Sequence, residues 1–143
     1  MDAADRIILK TLAENGRTPI KQLAEKVFLS SPAVSSRVDR LEKSGMIKGY
    51  QAQLNMKELG LGMQAFVNLS VLPDHHEAVM EIIRGCVNVL ECHHVTGSYT
   101  LLLKVTFPGT RELEQFVTKL QQYGTSQTQV VFSTLVEPRQ PIE

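Results

Sequence analysis

The side chains best placed to do chemistry lie in one short stretch. Ser31, Pro32, Ser35, Ser36, Arg37, Asp39, Arg40 and Lys43 share one side of a helical repeat whose other side carries Val34, Val38 and Leu41. Short hydroxyl side chains near the start of a helix can approach base edges and phosphates closely. Arginines further along can bridge the guanine edge or grip phosphate. This pattern suits the major groove of DNA. Ser31, Pro32, Ser35, Ser36, Arg37, Arg40 and Lys43 are therefore the candidate DNA-binding residues. Lys21, Lys26 and Lys48 fit phosphate contacts or plain surface better than base reading.

A second set of reactive types is His75, His76, Cys86, Cys92, His93 and His94. Cys92 and His94 fall on the same side of a strand pattern, but no spacing typical of structural zinc is present. Buried cysteine and solvated histidine are the expected roles, and no metal or cofactor is expected. The chain has no phosphate-cradling glycine motif, no serine-nucleophile elbow and no obvious catalytic pair of acids.

Charge supports the first set. Over residues 1–62, ten Lys/Arg face seven acids, a surplus of three positive charges, and the rest of the chain carries the matching deficit. Such an asymmetry predicts two modules, the first suited to a polyanion. In 143 residues, 43% hydrophobic and 21% charged, there is core enough for one medium domain or two small ones. No stretch reaches the roughly 20 apolar residues of a membrane span, and the opening MDAADRIILK lacks the basic start of a signal peptide. Two cysteines fit a reducing cytoplasm.

The elements that must hold these residues follow from caps and periodicity. Asp2, with Asp5 three residues on, caps a first helix that Asn15-Gly16 ends. Thr18 is expected to cap a second, with Pro19 at its first position and Ile20, Leu23, Ala24 and Val27 on its apolar face. Ser30 caps the third, which runs to about Lys43 and stops at Gly45. Met46 to Leu54 alternates as a strand would. Helix, turn, helix and strand describe a winged helix-turn-helix over residues 1–54. A connector spans 55–61.

From 62 to 143 the period changes. Strands are expected at Gln64–Leu72, Val89–Val95, Tyr99–Phe107 and Thr128–Val136. Leu101-Leu102-Leu103 suggests burial on both faces of the third. Helices are expected at His75–Arg84 and after Thr110, which should cap its helix, and PRQPIE reads as a loose tail. The order βαββαβ is that of a ferredoxin-like module, so the whole chain is α+β.

Several motifs together resemble the Lrp/AsnC (leucine-responsive, feast/famine) family of transcription regulators. They are Asp5-x-x-Ile8-Leu9, Asn15-Gly16-Arg17, Leu23-Ala24, Leu29-Ser30, Val34-x-x-Arg37-Val38-x-x-Leu41-Glu42-x-x-Gly45-x-Ile47 and Gly49-Tyr50. Val95-x-Gly97 and Ser126-x-Thr128 follow in the second half, so the match runs from about residue 2 to 136. The resemblance implies a cytoplasmic, sequence-specific regulator of transcription and not an enzyme. Its partners would be double-stranded DNA and a small effector such as an amino acid. It would form a homodimer through paired sheets, with higher assembly toward an octamer, and no membrane association. The implied effector-binding residues are Gly97, Ser98, Tyr99, Thr100, Ser126 and Thr128.

Two positions depart from the family pattern. Phe28 stands where glycine is frequent in the helix-turn-helix turn. Gly97-Ser98-Tyr99-Thr100 ends in threonine where the sensing loop often has Asp, so the carboxylate that could pair with a ligand's ammonium is absent. Two other readings share features of the chain. Sirohaem decarboxylases resemble the same two-module architecture, although the second half offers only Arg84, Arg111 and Arg139 for a polyanionic tetrapyrrole. An architectural DNA binder with no effector is the other.

Overall fold

The computed structural model describes residues 1–142, which form two compact units, Met1–Gln53 with the tail from Val136 onward, and Leu54–Leu135. The first unit contains α1 (Ala3–Glu14), α2 (Ile20–Val27) and α3 (Ser31–Lys43). Asp2 and Asp5 form a reciprocal capping box, each side chain accepting the other's backbone N–H. Ser30 Oγ accepts the Ala33 N–H at the start of α3, and Pro32 sits in the first turn, where no N–H is needed. The helices enclose seven buried apolar residues, Ile8, Leu9, Leu23, Ala24, Val34, Val38 and Leu41. Ile142 packs against this core, so the C-terminal tail is not loose throughout.

Several local expectations are corrected. Thr18 does not cap α2. Its hydroxyl donates to the Asn15 carbonyl at 2.7 Å, and the cap position is taken by Pro19. Met46–Leu54 forms no strand. Its alternation is real, but the described residues of this unit contain no strand to complete a ladder, and an extended segment without a partner leaves its N–H and C=O groups to water. Tyr50 instead hydrogen-bonds Glu42 of α3 at 2.9 Å through its hydroxyl.

The second unit runs β1 (Met63–Val71), a single 3-10 turn (Pro73–His75), α4 (His76–Gly85), β2 (Val89–His94), β3 (Leu101–Phe107), α5 (Thr110–Gln121) and β4 (Gly124–Val130). The four strands form one antiparallel sheet in the order β2-β3-β1-β4. Ala65, Val67 and Leu69 of β1 and Leu101, Leu103, Val105 and Phe107 of β3 form one core with Val79 and Ile83 of α4 and Leu113, Phe116 and Leu120 of α5. By strand alternation the opposite face carries Phe66, Asn68, Leu102 and Lys104.

Leu102 is only half-buried, so the leucine run covers one face fully, not both. Thr110 is the first residue of α5 rather than its cap, a place held by Gly109. The last strand lies earlier than its apolar composition suggests. Gly124 pairs with Val71 so closely that a Cβ would overlap the Ser70 carbonyl; β4 runs over 124–130, and 131–136 is irregular. No described helix is long and apolar enough to cross a membrane.

Candidate nucleic-acid interface and effector loop

The polar side of α3 is presented as its caps and core residues dictate. Val34, Val38 and Leu41 are buried; Ser31, Pro32, Ser36, Asp39, Arg40 and Lys43 are exposed; Ser35 and Arg37 are half-buried. The structure adds a feature that helical periodicity does not reveal. Asp5 of α1, 2% exposed, receives Arg37 Nη1 on Oδ1 at 2.8 Å and Arg40 Nη2 on both carboxylate oxygens at 3.0 and 2.9 Å. Arg37 Nη1 also reaches Asp2 Oδ2 at 2.7 Å. The capping box of α1 is thus the acceptor for both arginines, one turn apart on α3, and it fixes the rotation of α3 against α1.

Asp2 and Asp5 thus hold the arginines of α3 as well as capping α1, a pairing that reading for caps alone misses. The available signal was a pair of acids at i, i+3 matched by a pair of arginines at i, i+3.

Electrostatics follow the geometry. Burial pushes the Asp5 carboxyl up, but the Arg37 hydrogen bond, the Asp2 N–H and the Arg40 charge outweigh it and hold the group below the usual carboxylate range. Asp2 is lowered chiefly by the Asp5 N–H and then by Arg37, while Arg37 is raised by Asp2 and Asp5. Since the folded pKa of Asp5 is depressed, its stabilisation is complete above the unfolded value of about 3.9 and is lost as pH falls through the folded value. Asp5→Asn should therefore melt below the wild type at neutral pH, with the gap closing on acidification below about pH 4. Thermal melts of both proteins from pH 7 to pH 2 check this, and a gap independent of pH would assign Asp5 a purely steric role.

In the second unit the loop between β2 and β3 and the start of β4 meet β1 at one end of the sheet. Gly97 adopts φ +111°, a backbone conformation that residues with a Cβ rarely take, and its surroundings are open. Ser98 is exposed and Tyr99 half-buried.

Thr100 is tied into the ladder. Its N–H and hydroxyl both donate to the Leu69 carbonyl at 3.1 and 3.2 Å, and its Oγ1 accepts the Val71 N–H at 3.4 Å. Ser126 pairs with the same Leu69 from the other side of β1, and its Oγ accepts Gln121 Nε2 at 3.1 Å. Thr100 and Ser126 thus stand two strand spacings apart, about 10 Å. Thr128 lies one pleat further along, opposite Val67. Ser126 and Thr128 are inside β4, not ahead of it. The rings of His75 and Tyr123 meet at this same end, tilted by 57° with centroids 5.7 Å apart.

The histidines and cysteines do not converge. Among the described residues no three His, Cys, Asp or Glu side chains could hold a metal ion. His93 Nε2 contacts Glu91 Oε2 at 3.1 Å, and burial raises the Cys92 thiol.

Comparison with known proteins matches both units. Residues 1–48 match a winged helix-turn-helix DNA-binding domain, and residues 64–141 match the Lrp/AsnC ligand binding domain. The chain is 34% identical to the HTH-type transcriptional regulator LrpA of Bacillus subtilis (strain 168), over 92% of this chain and 97% of that one. The solved structure of LrpC from B. subtilis superposes with a TM-score of 0.90 at 29% identity, covering 96% and 99% of the two chains. A Neisseria meningitidis transcriptional regulator solved in complex with L-Met superposes with a TM-score of 0.89 at 31% identity, covering 96% and 93%.

Proposed function

Because this chain belongs to the Lrp/AsnC family of transcriptional regulators, we propose that it reads an operator with α3 and that a small metabolite, an amino acid first of all, modulates it. The observation that carries the DNA reading is the serine-rich side of α3, held in fixed rotation by the Asp5–Arg37–Arg40 cluster. Ser31, Pro32, Ser35 and Ser36 lie at the end of α3 that enters the groove, with Lys43 and the exposed side of Arg40 on the flanking phosphates. Arg37, committed to two carboxylates, acts as a positioning residue.

Dimerisation through the open face of the sheet, around Phe66 and Leu102, would present two copies of α3 about a two-fold axis. Dimers assemble further, toward an octamer, in a cytoplasmic regulator that is not an enzyme. The relatives' names favour neither a decarboxylase nor an effector-free architectural protein. The effector site comprises Gly97, Ser98, Tyr99, Thr100, Ser126 and Thr128. Gly97 lets the backbone approach a ligand, and backbone N–H groups of the loop hold an α-carboxylate. The side-chain oxygens of Ser126 and Thr128 then face the ammonium group. Thr100 positions the loop, its hydroxyl being engaged with β1.

The test of the DNA reading separates two kinds of contact. Ser35→Ala/Ser36→Ala should lose about 1–3 kcal/mol of operator binding and relax base preference. Lys43→Ala should weaken all sequences alike and flatten the salt dependence by about one unit of slope. Titration of operator and unrelated duplexes at several salt concentrations reads both. A folded double-serine variant with wild-type affinity and preference would overturn the assignment of α3.

A further inference from the structure

We propose that Phe28 is an additional DNA contact, its ring meeting the C5-methyl group of a thymine beside each half-site. The inference rests on the DNA-reading role of α3 and extends it to the turn before that helix.

Phe28 closes α2 in the left-handed conformation, φ 55°, ψ 42°, and is the one non-glycine residue at positive φ among the described residues. The helix end demands this conformation. Phe28 and Leu29 both donate their N–H groups to the Ala24 carbonyl, the latter at 3.1 Å, and Leu29 turns back into the core. Glycine would satisfy the same bonds without a steric penalty, whereas any residue with a Cβ is strained there. The strain is not repaid within the chain, because the Phe28 side chain is 93% exposed.

The surroundings name the occupant. Phe28 stands two residues before Ser30, the cap of α3, so their Cα atoms are at most about 7 Å apart. The ring thus sits beside the end of α3 that enters the groove. Its exposed neighbours within three positions along the chain are Glu25, Lys26, Ser30 and Ser31, which form no apolar patch of the size a protein partner requires. Lys26 and the hydroxyls of Ser30 and Ser31 flank the ring, with Glu25 a turn back on α2, and a single aromatic ring at the serine end of α3 fits a surface that is polyanionic outside and carries isolated methyl groups inside. In the major groove that group is the thymine methyl, which apolar side chains read by contact.

The experiment uses the full-length protein and an operator it selects from a random duplex pool. Each thymine is replaced in turn by uracil, which removes only the methyl group. Wild type should lose about fivefold in affinity or more at one position in each half-site. Phe28→Gly and Phe28→Asn, both compatible with the left-handed turn, should bind the thymine operator more weakly and be indifferent to that replacement, with melting temperatures no lower than wild type. Variants that keep wild-type affinity and uracil sensitivity would overturn the contact. So would variants whose oligomer mass changes while DNA binding does not, since the ring would then belong to a protein interface. Failure of the wild type to select any operator would overturn the role of α3 itself, a result distinct from these.

Discussion

Leu23→Ala should abolish operator binding by unfolding the N-terminal unit while leaving the four-stranded sheet folded. Leu23 is fully buried beside Ile8 and Val34 in a core of only seven buried apolar residues. Truncating a buried leucine costs about 2–5 kcal/mol, and a unit of this size rarely has more than about 3–5 kcal/mol of stability to lose. The sheet has its own core, built from other residues. Calorimetry should therefore show the loss of one transition and the persistence of another, and duplex titration should show no specific binding. Met46→Ala, at an exposed position, serves as the near-neutral control. Wild-type operator affinity in the Leu23 variant would contradict the assignment of DNA binding to this unit.

The second large effect is expected at Gly124. Gly124→Val places a side chain into the Ser70 carbonyl across the β1–β4 ladder, where backbone cannot yield as a flexible side chain would. The cost should reach about 3 kcal/mol or more. Among the described residues β4 is an edge strand paired with β1 alone, so the relief available is detachment of β4, which would carry Ser126 and Thr128 out of the proposed effector site and bare the edge of β1. The variant should lose the thermal shift that an amino acid at millimolar concentration is expected to give the wild type, and it should aggregate on heating. Gly97→Val, in open space but at φ +111°, should lose the same shift with the sheet intact. A full response to all ligands in both variants would place the effector elsewhere.

Local rules made much of this molecule legible before any fold was in view. Asp2 and Ser30 are caps because their side chains can reach the N–H groups that a helix start leaves unpaired. Val34, Val38 and Leu41 are core because their spacing puts them on one side of α3. The order βαββαβ follows from alternation broken by turn residues. What could not be read is what depends on distant partners. Met46–Leu54 has the pattern of a strand, with no strand to pair with among the described residues of its unit.

The last strand has a similar cause. Thr128–Val136 is richer in β-formers than Gly124–Val130, but the observed ladder starts at Gly124, opposite Val71, where a Cβ would overlap the Ser70 carbonyl, a close approach that composition does not reveal. Arg37 and Arg40 look like free DNA contacts until Asp5, more than thirty residues away in sequence, is placed beneath them. Thr100 looks like a ligand group until its hydroxyl is found on the Leu69 carbonyl. For Arg37, Arg40 and Thr100 these hydrogen bonds add a positioning role that spacing in the sequence does not reveal.

Recognition of a specific DNA sequence by a two-fold assembly is checked by selecting bound duplexes from a random pool with the whole 143-residue chain. One palindromic sequence should be enriched, its half-sites centred about one helical turn apart, or a multiple of it. Its affinity should exceed that of unrelated duplexes by about a thousandfold or more at physiological salt. A pool that emerges unenriched, bound with uniform affinity that salt erodes equally for every sequence, would contradict it.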